Sequence, residues 1–267
     1  MIILEEDTRA LQALFSTKKM VGEGEVASKN ISPSKLYCPA YEAFKLLGVP
    51  MAGQEESFET RGYAESGNSR HQTIQKFLID NPEVEWVDPG KYVEENNLPF
   101  EVHLKPDLRS FLEKHPDFTV EEARATLGEY EVNLIHKTQP LSFQLDGLIK
   151  YKNEYYIIEI KTINKKDLST SPLSKHQWQG KCYSFLLKIP KVCWIYESRE
   201  DFKTKVTVQQ FEAEEHQQVR NRLNSILLNL DHPEKLTRNT EKCKYCRYFT
   251  HCLEVFVAKH EDSDNPF

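Results

Sequence analysis

A glutamate and a lysine are placed for chemistry on one short apolar segment of the chain. In Ile157-Ile-Glu159-Ile-Lys161-Thr162 the residue types alternate as they do in a β-strand. Because successive side chains of a strand point to opposite faces, Glu159 and Lys161 share one face, and Ile158 and Ile160 share the other. The segment therefore predicts a strand with an ion-pairing face opposite a core-packing face.

A second carboxylate, Asp146, is brought opposite Glu159 by the hairpin that the sequence predicts. The preceding segment carries apolar residues at alternate positions, namely Leu141, Phe143 and Leu145. These side chains must face the core, and a two-residue turn at Lys152-Asn153 satisfies this while setting Asp146 directly across from Glu159. A three-residue turn would put Asp146 on the apolar face, so the core pattern predicts the two-residue turn.

Two carboxylates directly opposite each other destabilise a sheet, and a divalent cation between them is one remedy. Carboxylate and carbonyl oxygens suit Mg²⁺ or Mn²⁺, with water completing the coordination shell. A metal-bound water supplies a nucleophile at neutral pH, and Lys161 could position that water or stabilise charge that develops on a phosphate. The alternative is an ordinary surface ion pair between Glu159 and Lys161 on a half-exposed strand.

The helix predicted over Ser174–Lys188 has two different faces. A polar face follows the spacing i, i+3, i+7 and consists of His176, Gln179 and Tyr183. A separate apolar face consists of Trp178, Cys182 and Phe185. Because the helix follows directly after the hairpin, its polar face either lines a groove for DNA or is made of ordinary surface residues.

Three cysteines form a dense cluster near the C-terminus, in the pattern Cys243-x-x-Cys246-x5-Cys252. Three thiolates need a fourth ligand, which we expect to be Cys38, with His251 as the alternative in a zinc site. Four thiolates suit either Zn²⁺ or an iron–sulfur cluster, and spacing alone does not separate the two. The remaining cysteines have apolar neighbours and are predicted to be core residues, Cys182 and Cys193.

The remaining patterns supply the elements that must position these residues. Helices are expected over Met1–Met20, Ser32–Gly48 with a bend at Pro39, Arg61–Ile79, Ser174–Lys188 and Glu214–Leu230. Strands are expected over Tyr130–Lys137, Leu141–Tyr151, Tyr155–Thr162, Lys191–Glu197 and Lys205–Phe211. The proline-rich segment Asn81–Leu127 is expected to be an irregular insertion with short elements. Strands and helices around a central sheet predict an α/β or α+β class.

The composition is that of a folded protein with a modest negative charge. The chain has 267 residues, with 35 Lys+Arg against 41 Asp+Glu and a formal net charge of −6. Its 39% apolar and 28% charged residues exclude a disordered or collagen-like chain. No apolar run reaches the ~20 residues of a membrane span, and the acidic N-terminus is unlike a secretory signal. We therefore expect a cytoplasmic protein, in a bacterium or a phage-infected host, with reduced thiols and no membrane partner.

Five motifs follow one another along the chain. They are Ser32-Pro-Ser-Lys-Leu-x-Cys38-Pro, Gly67-x-x-x-His71, Asp146 followed by Glu159-x-Lys161, Gln179-x-x-x-Tyr183, and Cys243-x-x-Cys246-x5-Cys252. Taken together, they resemble those of a RecB-type PD-(D/E)XK nuclease with an iron–sulfur cluster. Its relatives are the AddB nuclease domain and the CRISPR-associated adaptation nucleases. Each motif alone is weak, whereas the ordered set is specific and covers Ile31 to Leu253 apart from an insertion.

The resemblance implies a metal-dependent active site. The ligands of a catalytic Mg²⁺ or Mn²⁺ would be His71, Asp146, Glu159 and the Ile160 carbonyl. Lys161 would be the catalytic lysine, acting with Asp146 and Glu159. Gln179 and Tyr183 would sit beside this site and contact the DNA strand.

The resemblance also implies the fold and its divisions. The fold would be the restriction-endonuclease-like α/β core, a central mixed sheet flanked by helices. Residues 31–253 would form a single nuclease domain, with an insertion at 81–127 and a cluster-binding segment at 241–253. Residues 1–30 would be an extension and linker, and residues 254–267 an acidic tail. A [4Fe–4S] cluster would join the N- and C-terminal segments, with structural Zn²⁺ as the alternative, and its ligands would be Cys38, Cys243, Cys246 and Cys252.

Three functions compete on this sequence. The first is a metal-dependent DNA exonuclease acting on single strands or DNA ends, in recombination, phage DNA processing or CRISPR adaptation. The second is a non-catalytic DNA- or protein-binding module of the same fold in a larger complex, and the third is a zinc-stapled scaffold. The complete set of carboxylates and lysine favours the first. Basic residues near the predicted site would guide the strand, namely Lys165, Lys166, Lys175, Lys181 and Lys188. A protein partner would bind through the extension or the insertion.

Overall fold

A mixed sheet lies at the centre of the structure, a computed structural model that describes residues 18–263. In chain order the strands are β1 (Lys19–Val21), β2 (Gln54–Glu56), β3 (Glu85–Trp86), β4 (Phe100–His103), β5 (Val132–His136), β6 (Ser142–Leu145), β7 (Gly147–Tyr151), β8 (Glu154–Ile163), β9 (Lys191–Ser198) and β10 (Thr204–Gln210). The central sheet has five strands in the order β10-β9-β8-β7-β3. A second sheet has the order β4-β5-β6, and β1 pairs with β2.

Helices connect and cover these strands. The α-helices are α1 (Pro39–Leu46), α2 (Phe58–Ile79), α3 (Pro89–Glu95), α4 (Pro106–Lys114), α5 (Val120–Leu127), α6 (Ser174–Leu187), α7 (Ala213–Leu228) and α8 (Phe249–Ser263). Short 3-10 turns lie at Pro33–Lys35, Lys165–Asp167, Pro233–Lys235 and Thr240–Tyr245. None of the helices in the described range has the length and apolar character needed to cross a bilayer.

The central sheet is mixed because one of its connections is a crossover. Strands β8 and β9 are parallel, and the segment between them contains α6, as a parallel pair requires. The other pairings in this sheet are antiparallel. This architecture confirms the predicted α/β class with a mixed central sheet flanked by helices.

The two faces of the central sheet carry separate apolar clusters. On one face the largest buried side chains are Trp194 and Tyr196, which pack with residues of α1, α6 and α7. The other face carries a smaller cluster that α2 covers through Ile74 and Leu78, consisting of Ile149, Ile158, Ile160, Cys193 and Ile195. The predicted alternation of β8 is therefore confirmed, since Ile158 and Ile160 lie in the second cluster.

The short elements expected within the irregular segment Asn81–Leu127 are present, and they are more regular than predicted. The segment contains two strands and three helices, and β3 and β4 pair with β7 and β5. Its prolines do not interrupt these elements, because Pro89 and Pro106 stand at the first turn of α3 and α4, where the missing N–H has no intrahelical partner to lose. The segment therefore contributes a strand to each of the two larger sheets. That it is an insertion in a nuclease domain stays a prediction.

The helix expected over Ser32–Gly48 is divided rather than bent. Proline restricts the residue before it to extended conformations, and Cys38 accordingly has φ −133° and ψ 88°. A 3-10 turn therefore ends before Cys38, and α1 starts anew at Pro39. Gly48, with φ +71°, ends this region as predicted.

Three other expectations differ from the structure. The strand expected over Leu141–Tyr151 is interrupted at Asp146, where the chain passes from one sheet to the other. Residues 254–263 of the expected acidic tail belong to α8. Most of the helix predicted over Met1–Met20 lies outside the described residues, and its last positions form β1 instead.

A glycine–tryptophan contact tests whether β3 packs against the centre of the fold. A Cβ on Gly147 would overlap the ring of Trp86. We expect Gly147→Ala to lower the free energy of unfolding by about 1–3 kcal/mol, because overpacking forces neighbouring side chains to shift. In a Trp86→Leu background, Gly147→Ala should lower the free energy of unfolding by less, because the overlapping ring is absent. Denaturant unfolding of the four proteins measures this difference. An equal cost in both backgrounds would contradict the packing described here.

Candidate active site

The hairpin of β7 and β8 has the register that the sequence predicts. Its two turn residues, Lys152 and Asn153, have φ +50° and +63°, the positive values that a two-residue hairpin turn of type I′ requires. The ladder runs from Tyr151 opposite Glu154 to Gly147 opposite Ile158. One step further along the same register, Asp146 lies across from Glu159.

Asp146 is fixed at the point where the two sheets separate. It stands between β6 and β7, and its carboxylate Oδ2 accepts a hydrogen bond of 2.7 Å from the Ile160 N–H. Its backbone carbonyl accepts one of 2.6 Å from Gln75 Nε2 of α2. Because β7 begins only at Gly147 and β6 pairs with β5 instead, the edge of β8 beyond Ile158 is open to the Asp146 side chain. Since the N–H and C=O of a strand residue point to the same side, the Ile160 carbonyl also faces this opening.

Glu159 and Lys161 form a buried ion pair beside Asp146. Lys161 Nζ lies 2.6 Å from Glu159 Oε2 and 4.0 Å from Asp146 Oδ2. Glu159 is 1% exposed, so the surface ion pair considered above is excluded. Burial raises the pKa of Glu159, whereas the Lys161 ammonium and His71 hold the pKa of Asp146 low despite its burial. Glu159 Oε1 has no hydrogen-bond partner, and a buried oxygen of this kind is rare unless a ligand uses it.

His71 reaches the same point from α2. Its Nδ1 lies 3.5 Å from Asp146 Oδ1 and 3.6 Å from Glu131 Oε1. Burial alone would lower the pKa of His71, but its close contacts with these two carboxylates raise the pKa to about 9. The ligating atoms of His71, Glu131 and Asp146 all lie within 4.8 Å of one another, close enough for one cation.

Glu131 is a site residue that the sequence reasoning missed. Strands β5 and β6 pair with Val132 opposite Leu145, so the next step sets Glu131 opposite Asp146. The sequence contained a signal for Glu131, because strands were predicted over Tyr130–Lys137 and from Leu141 onward. An antiparallel pairing of these two strands brings Glu131 opposite Asp146. The three carboxylates of Glu131, Asp146 and Glu159 are called the carboxylate row below.

A second lysine compensates the outer end of the carboxylate row. Lys105 Nζ lies 2.8 Å from Glu131 Oε2 and 2.7 Å from Glu129 Oε2. Gln144 Nε2 also donates to Glu131 Oε2, at 2.6 Å. Lys105 belongs to the proline-rich segment that was expected to be irregular, so no local pattern connected it with the site.

Gln179 and Tyr183 lie behind the carboxylate row rather than on the surface. Gln179 Nε2 donates to Tyr183 Oη at 3.0 Å, and Tyr183 Oη donates to the Gln144 carbonyl at 2.8 Å. Their side chains are buried, with 7% and 2% of the residue exposed, so the alternative of ordinary surface residues is wrong for both. This chain of hydrogen bonds holds β6 two residues before Asp146.

Four half-buried cysteines and Lys161 line the same cavity. The cavity has a volume of about 620 Å³ and is lined by Lys161, Gln179, Cys38, Cys243, Cys246 and Cys252, among other residues. In the part of the chain that the structure describes, His71, Glu131 and Asp146 are the sole set of three His, Cys, Asp or Glu side chains whose ligand atoms all lie within 4.8 Å of one another. No three of the cysteine sulfurs are therefore that close together. His251 packs instead against the Phe44 ring, at 4.9 Å between centroids. Cys182 and Cys193 are buried in the core, as predicted.

The sequence profile of the PD-(D/E)XK nuclease superfamily matches residues 38–253. The chain belongs to this superfamily. The match starts at Cys38 and includes the whole carboxylate row, Lys161 and the C-terminal cysteines. No curated protein matches the sequence.

This superfamily member is also similar to solved structures, two of them exonucleases, at low sequence identity. SSO0001 aligns at 14% identity over 93% of this chain and 96% of its own, with a TM-score of 0.43. An alkaline exonuclease (LHK-Exo) from Laribacter hongkongensis aligns at 12% identity over 82% and 92%, with a TM-score of 0.35. A phage-related exonuclease from Haemophilus somnus 129PT aligns at 12% identity over 76% and 93%, with a TM-score of 0.32. At these values the similarities assign no role to any residue of this chain.

The raised pKa of His71 gives metal-free protein a defined pH dependence. Its folded value of about 9 lies above the ordinary 6.5, so its contribution to stability is complete below about pH 6.5 and is lost as the pH rises through 9. We expect the free energy of unfolding, measured in chelator, to fall by up to about 3 kcal/mol more in wild type than in His71→Asn over this range. The exposed His232→Asn should behave as wild type. Parallel curves for wild type and His71→Asn would contradict the contacts described at His71.

Proposed function

We propose that the protein is a RecB-type, metal-dependent DNA nuclease that hydrolyses phosphodiester bonds in single strands or at DNA ends. The observation that carries this proposal is the carboxylate row, with His71 at one side and Lys161 paired to Glu159 at the other. These residues occupy the separation of the two sheets, where a strand edge and its carbonyls are open. A structural ion pair alone does not require three carboxylates to converge there.

The donor set fits Mg²⁺ or Mn²⁺. The proposed ligands are Asp146, Glu159, the Ile160 carbonyl and His71, with Glu131 close enough to add a further carboxylate. The partnerless Glu159 Oε1 is the observation that supports a bound cation. When bound, such a cation neutralises charge on the phosphate and lowers the pKa of a water molecule so that hydroxide forms near neutral pH.

Lys161 acts as a charged donor and not as a base. Burial opposes its charge, but Glu159 and Asp146 outweigh burial and raise its pKa above the ordinary value, so the ammonium keeps its proton at neutral pH. It therefore orients the attacking water by a hydrogen bond or stabilises the charge that develops on the phosphate oxygens. Either role is stronger in the transition state than in the ground state, which is the requirement for catalysis.

A single strand fits the surroundings of Lys161 better than a duplex. The cavity of about 620 Å³ that Lys161 lines is also lined by basic side chains, namely Lys35, Lys175, Arg238 and Arg247. A basic recess of this kind suits the phosphate backbone of one strand, whereas the bases of a duplex stay paired and stacked inside the helix. Gln179 lines the same cavity, which supports a contact with the strand. Tyr183 is buried beneath it, so we assign Tyr183 to positioning Gln144 and Asp146.

We further propose that Cys38, Cys243, Cys246 and Cys252 hold a [4Fe–4S] cluster in part of this cavity. All four cysteines line the same cavity, whose volume of about 620 Å³ leaves room for a cluster bound by four thiolates. Structural Zn²⁺ held by the same four thiolates is the alternative. Burial also raises the pKa of Cys246 and Cys252, which disfavours free thiolates in the absence of a bound metal.

Cleavage assays with a lysine variant test the nuclease proposal. Anaerobically purified protein with Mg²⁺ or Mn²⁺ should degrade single-stranded DNA labelled at either end. Lys161→Met should reduce kcat by about 10²–10³-fold, since it removes one preorganised donor, while binding of DNA persists. Closed circular single strands distinguish cleavage from an end from internal cleavage.

The exposed Lys114→Met, on α4, is the matched control and should cleave as wild type does. Intact substrates after incubation with folded, metal-loaded wild type that binds them would instead favour a non-catalytic binding module. Equal activity of Lys161→Met and wild type would remove Lys161 from the mechanism.

The cluster is tested by composition and spectrum. The anaerobic protein should contain about four iron and four acid-labile sulfide atoms per chain and show visible charge-transfer absorption. Alanine at Cys38, Cys243, Cys246 or Cys252 should abolish or strongly reduce both, whereas the buried Cys193→Ala should retain them. A colourless protein with stoichiometric zinc would establish the structural zinc alternative.

A further inference from the structure

A separate cavity opens beside the active site, and neither the metal nor the cluster proposal uses it. Its volume is about 310 Å³, at the lower end of the range for small-ligand sites. The residues that matter in its lining are Tyr63, Gly67, Arg70, Thr162, Arg199 and Phe202. We call it the Tyr63 pocket.

The Tyr63 pocket is adjacent to the proposed point of cleavage. Thr162 follows Lys161 on β8 but faces α2, on the side of the sheet opposite Lys161. Gly67 lies four residues, about 6 Å, before His71 on the same face of α2. The pocket therefore lies along α2 from His71, which contacts the carboxylate row from this helix.

Two aromatic side chains that line this pocket are about half exposed. Tyr63 on α2 is 48% exposed, and Phe202 in the connection between β9 and β10 is 58% exposed. Phe202 also has φ +57°, a left-handed conformation that is costly for a bulky residue. A strained and exposed phenylalanine contributes little to folding, and such strain is typical of binding sites.

Two guanidinium groups lie over these rings. Arg199 Cζ is 5.6 Å from the centroid of Tyr63, and Arg70 Cζ is 5.1 Å from that of Phe202. Arg70 is fixed by a bidentate pair with Glu197, with both donor–acceptor distances 2.7 Å. With two arginines and one glutamate, the wall carries a net positive charge in a protein whose overall charge is negative. It is thus complementary to a polyanion.

Gly67 lets α2 approach β8 closely at the wall of this pocket. A Cβ at this position would lie 3.2 Å from Thr162 Oγ1, which is tighter than an ordinary contact. The glycine of the Gly67-x-x-x-His71 motif therefore serves the close approach of α2 to β8, while His71 serves the site.

We propose that the Tyr63 pocket binds a nucleobase of the substrate strand next to the cleaved phosphodiester, stacked against Tyr63 and Phe202. The inference rests on the proposed nuclease function, because it needs a single strand at Lys161. Stacking accepts any base, since every base has an aromatic face, so the pocket would hold the strand without selecting its sequence. An intact duplex keeps its bases paired and cannot offer one, so the pocket would also favour single strands over duplex.

Fluorescence of 2-aminopurine tests the stacking. The protein would be Lys161→Met, which should bind without cleaving, and the probes single-stranded oligonucleotides with 2-aminopurine at each successive position. One position should be quenched on binding. Tyr63→Ala and Phe202→Ala should each relieve this quenching and weaken binding about five- to a hundred-fold, whereas Tyr63→Phe and Phe202→Trp should retain both.

The matched control is Phe77→Ala, which removes an aromatic ring that is 71% exposed on the same helix, outside the Tyr63 pocket. It should leave quenching and affinity unchanged. Quenching that persists in the Tyr63→Ala/Phe202→Ala double variant, with wild type cleaving DNA, would overturn the stacking proposal and leave the nuclease standing. Wild type that neither binds nor cleaves single strands would overturn both. Circular dichroism and melting temperature of each variant show that a lost signal is not lost folding.

Discussion

Three carboxylates side by side, two buried and one half-buried, are the constraint on which the rest of the site depends. Unpaired charges of this kind would cost several kcal/mol each, so every one must be compensated at close range. Lys161 pairs with Glu159, Lys105 with Glu131, and Asp146 accepts from Ile160 and faces His71. These compensating groups come from β8, from α2 and from the residue that precedes α4, which is why the fold must be complete before the site exists. The divalent cation proposed for this site would add to the same balance of charge.

The separation of the two sheets at Asp146 gives this arrangement its access. A continuous sheet would satisfy the edge of β8 with hydrogen bonds and cover the carboxylates. Instead, β6 turns away to pair with β5, while β7 stays with β8. Asp146 therefore lies between the two ladders, with Glu131 opposite it on one side and Glu159 opposite it on the other. Two side chains hold the backbone at this point. Gln75 of α2 donates to the carbonyl of Asp146, and Tyr183 of α6 donates to the carbonyl of Gln144.

Local patterns in the sequence were sufficient for half of the site. The alternation of β8 and the two-residue turn predict Asp146 opposite Glu159, and the structure has that register. Glu131 required the pairing of two further strands, and Lys105 required the fold of a segment whose prolines were taken as signs of irregular structure. Periodicity placed Gln179 and Tyr183 on one helical face, but it could not show that this face is buried under β6. Residues that act through long-range pairing are those that local reasoning misses.

The chain order of the site has a consequence for how the protein could be divided. His71 lies before the segment 81–127, and Glu131, Asp146, Glu159 and Lys161 lie after it. The exposed connection between α4 and α5, residues 115–118, is a place where the backbone can be cut without severing a strand or helix. Each half would then hold an incomplete set of ligands, and the halves would rejoin through the β3–β7 and β4–β5 edges. Fragment complementation at this position would make nuclease activity conditional on the meeting of two separately produced polypeptides.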